Sequence, residues 1–252
     1  MGSNSKIEWT RHTFNAWVGC SKVSAGCTRC YAESLAKRTG LAIWGDSGTR
    51  HVTSDAYWQE PYKWATAASM FGERHRVFCN SLADVFEDRP DLSAPRHRLW
   101  RLILDTRHSL DWLLLTKRPE NFNMIPLSLA DSVWLGVSVE DRKNKHRIDI
   151  LRQTPAALHF LSLEPLIEDL GELDLTGIGL VIVGAESGPG ARPMDENWVR
   201  SIRDQCVDTD VPFFYKQKLD GGHKVSLPLL DGHQWAQFPE APDAKEGEEV
   251  SE

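Results

Sequence analysis

The chain of 252 residues has no apolar run approaching the roughly 20 residues that span a bilayer. Its longest candidates, such as 179–185, are strand-sized, so no membrane association is expected. The opening Met1-Gly2-Ser3-Asn4-Ser5-Lys6 lacks the apolar core of a secretion signal, and a cytoplasmic protein is expected. Strong charge is also lacking. Of the net −7, −5 lies in 240–252, where six acids and one lysine follow Pro239. The rest is nearly neutral and neither demands nor excludes a nucleic-acid partner. The tail has no aromatics and is expected to be disordered. There is no internal repeat, no G-x-S-x-G elbow and no H-E-x-x-H helix. The glycine-rich stretch 184–190 is not a P-loop, because no Gly-Lys-Ser/Thr follows it. It reads as a close turn beside a bound cofactor.

Cysteine is scarce, and five is an odd number for a disulfide framework. Cys79 in an apolar run and Cys206 in a helical pattern read as small buried hydrophobes. The other three, Cys20, Cys27 and Cys30, fall within eleven residues as C-x6-C-x2-C. Clustered thiolates can wrap one metal centre. Gly19 and Gly26 let the backbone fold closely and aim amides at cluster sulfurs. Two metal centres remain open, beside thiols that bind no metal at all. A 4Fe–4S cluster on three cysteines leaves one iron free for a substrate or cofactor. A zinc site would recruit His12 or His51 as fourth ligand, although structural zinc sites usually pair two C-x2-C knuckles and one is present.

Short runs rich in β-branched and aromatic residues predict strands at 76–81, 111–116, 133–139, 158–163, 180–184 and 211–216, with another at 13–18. Helical spacing predicts helices at 31–39, 94–106, 141–153 and 197–209. This alternation implies α/β architecture: a full or partial (β/α) barrel of six or seven parallel strands over residues 1–239 as one domain, with an open doubly wound sheet as the alternative. The aromatic-rich stretch 41–75 reads as an insertion covering the barrel mouth. Polar residues gather where each apolar run ends: Asn80, Ser81 and Asp84; Lys117 and Arg118; Ser138 and Glu140; Ser162 and Glu164; Glu186, Ser187 and Arg192; Lys216 and Gln217. In a parallel sheet those positions line the active face. The basic groups 142–147 and 96–101 read as solvated helix faces, with phosphate contact the alternative.

The run Cys27-Thr28-Arg29-Cys30-Tyr31-Ala32 on such a chain resembles the cluster loop of radical S-adenosylmethionine enzymes. Further motifs include Ile7-Glu8-Trp9-Thr10, Leu115-Thr116-Lys117-Arg118-Pro119 and Ser162-Leu163-Glu164-Pro165-Leu166. With 134–140, 184–194 and 212–217 they make residues 6–240 resemble a phage and bacterial family of unknown function, described by its three-cysteine motif. The commonest radical-enzyme spacing is C-x3-C-x2-C with an aromatic before the last cysteine. Here the first gap is six residues, Arg29 holds the aromatic position, and Tyr31 follows the last cysteine.

The resemblance implies a radical-SAM-like barrel in which Cys20, Cys27 and Cys30 carry a 4Fe–4S cluster. It implies S-adenosylmethionine as cofactor, an external electron donor and a 5′-deoxyadenosyl radical. It gives Tyr31, Asn80, Ser81, Asp84, Ser138, Glu140, Glu186 and Ser187 to cofactor binding, with Ser138, Glu140 and Glu164 accepting from ribose hydroxyls. It gives Lys117, Glu164 and Lys216 to catalysis. A nucleoside or nucleic-acid substrate fits the phage association. The competing expectation is a zinc- or cluster-stabilised module that binds nucleic acid or a protein partner without radical chemistry.

Overall fold

Apolar runs rich in β-branched and aromatic side chains favour extended backbone when both faces are covered. In the computed structural model, which describes residues 5–240 apart from Thr39 and Leu41, those runs form one eight-stranded sheet. Its strands are β1 (His12–Phe14), β2 (His75–Cys79), β3 (Leu110–Thr116), β4 (Val133–Ser138), β5 (Leu158–Leu163), β6 (Leu180–Gly184), β7 (Phe213–Asp220) and β8 (His223–Ser226). The first seven pair in parallel, in chain order. β8 returns antiparallel to β7. A doubly wound sheet reverses its strand order midway, and this one does not. It is a singly wound, partial barrel whose edges, β1 and β8, do not pair among the described residues.

The helices are α1 (Tyr31–Lys37), α2 (Asp55–Trp58), α3 (Glu60–Met70), α4 (Ser93–Thr106), α5 (His146–Arg152) and α6 (Glu196–Asp208). The helix expected over 141–153 starts late, because Asp141 caps a 3-10 turn by accepting from the Asn144 amide. The strand expected over 13–18 is divided: Trp17–Val18 leaves the sheet to pair with His51–Val52. The acidic segment 241–252 and Thr39, the end of the expected 31–39 helix, lie outside the described residues. No described helix is long and apolar enough to cross a membrane.

The main core lies between the sheet and its helices, where Trp112, Leu135 and Val183 meet Leu99, Ile148 and Ile202. A smaller cluster of Trp9, Phe78, Leu113, Phe160 and Phe214 fills the other, concave face. Phe160 packs so closely on β4 that a Cβ at Gly136 would come within 2.4 Å of its ring, which excludes any larger residue there. The 41–75 stretch is not simply a cover for the mouth. Trp58 and Trp64, on α2 and α3, join the main core, while Trp44 lines the cavity described below. Glu8 bridges the open seam of the barrel, bonding Lys224 at 2.8 Å and Ser226 at 2.5 Å on β8.

At the N-terminal ends of β1 and β2, His12 and His75 are buried and joined at 3.0 Å, with Trp64 stacked on His12 at 4.4 Å. Burial, then His75 and Arg11, push the His12 pKa down to about 4. The unfolded chain protonates His12 near pH 6.5, before the folded chain does. Its contribution is therefore whole above pH 6.5 and falls by about 3 kcal/mol as the pH drops to 4. Urea denaturation at pH 7 and 4.5 should show the loss. His12→Phe, which retains a ring beside Trp64, should flatten the slope.

Candidate metal centre and cofactor cavity

Side chains leaving a parallel sheet converge beyond its C-terminal strand ends, and a cavity opens there that is lined by Cys20, Cys27 and Cys30. The loop carrying them starts at Gly19, whose φ of +115° lies in the left-handed region. A Cβ at Gly19 would sit 2.2 Å from the Ile43 carbonyl oxygen. The Gly19 amide donates to the Leu82 carbonyl at 3.0 Å, which ties the loop to the chain beyond β2. A 3-10 turn at Ala25–Cys27 follows, and Cys30 stands at the N-terminus of α1.

Glu140 supports this loop from beneath. It is fully buried, accepts from the Gly26 amide at 3.2 Å and from the Ser24 hydroxyl, and pairs with Arg147 at 2.9 Å. Burial alone would raise its carboxyl, but Lys117, Ser24 and Arg147 hold it below its ordinary value. Two sequence expectations change here. Glu140 does not line the cavity, so it is not placed to meet a ribose, and Gly26 turns its amide to a carboxylate rather than to a sulfur.

Cys20 rests on a second buried network. Arg118 donates to Asp84 at 3.0 Å, to the Ser21 carbonyl and hydroxyl at 2.9 Å each, and to Cys20 Sγ at 3.6 Å. Ser21 donates to Glu87, which Arg50 grips through Nε and Nη2 at 2.7 and 2.6 Å. Asp84 also accepts from Thr116 Oγ1 at 2.7 Å and from the Lys117 amide at 3.3 Å. Burial pushes the Cys20 thiol up to about 12, with Asp84 adding to the shift and Arg118 opposing it. Burial raises Cys30 as well. Such thiols are poor nucleophiles at neutral pH and become thiolates against a cationic centre.

Three thiols lining one cavity are the donor type that an iron–sulfur cluster takes. Among the described residues no three His, Cys, Asp or Glu side chains stand close enough to hold one metal ion. No histidine among the described residues lines the cavity. His12 is bonded to His75 at the other end of its strand, and His51 is exposed in the Trp17–Val18 pair.

The remaining strand-end residues meet around the same cavity. Tyr31 donates to the Ser81 carbonyl at 2.7 Å. Asn80 accepts from the Ala16 amide at 2.8 Å, while its buried Nδ2 has no partner among the described residues. Ser138 and Ser187 line the cavity. Glu186 is held by Arg192 and by Arg29 at 3.6 Å. Glu164 and Lys216 pair at 2.5 Å. The Lys117 ammonium lines the cavity and forms no ion pair within 4 Å among the described residues. The two basic groups are divided. Arg96 turns inward to the Val85 and Glu87 carbonyls and Arg147 to Glu140, whereas Arg98, Arg101, Arg142 and Lys143 stay exposed.

A family model for a protein of unknown function (DUF5131) matches residues 4–239, and the chain belongs to that family. No curated protein matches. Among solved structures, spore photoproduct lyase complexed with dinucleoside spore photoproduct is similar at a TM-score of 0.50, with 12% identity over 80% of this chain and 62% of that one. A cysteine-to-serine mutant of spore photoproduct lyase gives 0.51 and 13% over 88% of this chain and 69% of that one. At such identity the likeness speaks for the fold alone. This chain spans about three-fifths to two-thirds of the length of those proteins.

Proposed function

We propose that this member of a family of unknown function is an iron–sulfur, S-adenosylmethionine-dependent radical enzyme acting on a nucleoside or nucleic acid. One observation carries the reading. Cys20, Cys27 and Cys30 line a single cavity at the C-terminal strand ends, and no histidine or fourth cysteine lines it among the described residues. Three thiolates would hold a 4Fe–4S cluster and leave one iron for a small molecule. Bound there, the cluster supplies the one-electron reduction that splits S-adenosylmethionine to methionine and a 5′-deoxyadenosyl radical.

The protein's own task is to bind, orient and shield. The unpaired Lys117 ammonium suits the cofactor's carboxylate. Asn80 Nδ2 offers a donor, and the Ser138 and Ser162 hydroxyls offer acceptors. Glu164 and Lys216 form an ion pair beside the cavity, where they can position a substrate. Trp9, Phe78 and Leu115 form apolar wall that excludes water. The nucleoside reading draws support, by analogy of fold, from the dinucleoside held in one solved structure of this architecture. An external electron donor is required.

Anaerobic purification followed by iron, sulfide and zinc analysis tests the reading. Iron and sulfide in equal amounts are expected, lost from Cys20→Ala, Cys27→Ala and Cys30→Ala alike. Colourless protein with stoichiometric zinc and no iron would sink it.

A further inference from the structure

We infer that Arg118 sets the reduction potential of the cluster by donating a charge-assisted hydrogen bond to one ligating sulfur, that of Cys20. The inference rests on the proposed function and goes beyond it to regulation of the same site. Arg118 Nη1 lies 3.6 Å from Cys20 Sγ, within N–H···S range. The guanidinium is buried at 6% exposure and cannot turn away. Asp84 holds Nη1 at 3.0 Å, and Ser21 holds Nη2 through two oxygens at 2.9 Å. Arginine keeps its charge at any working pH, so this donor is permanent.

The three sulfurs are not equivalent. Cys27 Sγ meets the Ser24 hydroxyl at 3.8 Å, and among the described residues no guanidinium or ammonium bonds Cys27 or Cys30. One-electron reduction adds negative charge to cluster and thiolates, and a directed N–H donor stabilises that state more than the oxidised one. Around Cys20 the surrounding charge does not do this by itself. Arg118 and Arg50 face Asp84 and Glu87, two cations against two carboxylates. At Cys20 the effect therefore belongs to the N–H···S bond rather than to a net positive field, since the Lys117 ammonium acts instead on Cys30.

The test is a redox titration of the anaerobically reconstituted full chain, followed by visible absorbance and electron paramagnetic resonance. Arg118→Gln alone would leave Asp84 unpaired, so it is combined with Asp84→Asn, which conserves the network's net charge. At a fixed ambient potential the ratio of oxidised to reduced cluster should rise about tenfold, a shift of about 59 mV to more negative potential. Arg118→Lys, which keeps the charge but cannot serve Ser21, Asp84 and the sulfur together, should shift less in the same direction. If the double variant fails to hold a cluster, Arg118→Lys decides alone. Titration curves of loaded variants that overlay the wild type would overturn the inference and leave the proposed function standing. A wild-type chain that takes up no iron and sulfide would remove the proposed function itself.

Discussion

Glu140→Ala is expected to lower stability by about 3 kcal/mol and to release the cysteine loop, because it leaves a buried guanidinium without its carboxylate. Arg147 has 5% of its side chain exposed and would keep only the Ser138 carbonyl. The Ser24 hydroxyl and the Gly26 amide would lose their acceptor together. Urea denaturation reads the first effect, and iron retained after reconstitution reads the second. Glu140→Gln keeps an oxygen for Gly26 and should retain more of both. Had Glu140 served the ribose, as the family resemblance implied, the alanine variant would keep its stability and its iron and lose only cofactor affinity. That pattern would refute the supporting role.

Gly19→Ala should be almost as damaging, although it adds a single methyl. The backbone there has φ of +115°, which costs a non-glycine residue roughly 1–3 kcal/mol. The added Cβ would also stand 2.2 Å from a backbone oxygen, that of Ile43, which cannot turn aside as a side chain could. Relief requires the backbone beside Cys20 to move, and Arg118 and Ser21 would move with it. We expect reconstituted iron to fall at least severalfold. Gly40→Ala is the comparison: its φ is +70° but nothing lies within 4 Å of the added Cβ, so it should lose stability without losing iron. Equal iron in both variants would mean that crowding at residue 19 does not control the loop.

What the sequence made legible follows from the range of the interactions. Runs such as Leu110–Thr116 and Leu180–Gly184 are buried on both faces, so their apolar character is continuous and announces a parallel sheet. β8 went unseen because His223–Ser226 lies at the edge, mostly exposed, with little hydrophobic pattern. The convergence of Cys20, Asn80, Lys117, Glu164 and Lys216 was legible because strand ends of a singly wound sheet must meet. The roles within that set were not. Glu140 and Glu164 both end apolar runs, yet one is sealed under a loop and the other borders the cavity. Only the packed loop decides between them. Arg50 and Glu87 are 37 residues apart, and the signal that each would bury its charge against the other is absent from either stretch alone. His12 attracted attention as a possible ligand because histidine binds zinc. Its strand carries it to the end opposite the cysteines, where His75 takes its ring nitrogen.

The central claim is that three cysteines hold a cluster with one iron open to S-adenosylmethionine. Its most direct test is to reduce the reconstituted chain with dithionite in the presence of S-adenosylmethionine and measure 5′-deoxyadenosine. The wild type should form 5′-deoxyadenosine and methionine together, and Cys27→Ala should form neither. Wild-type protein that carries its full iron and sulfide, is reduced, and leaves S-adenosylmethionine intact would contradict the account.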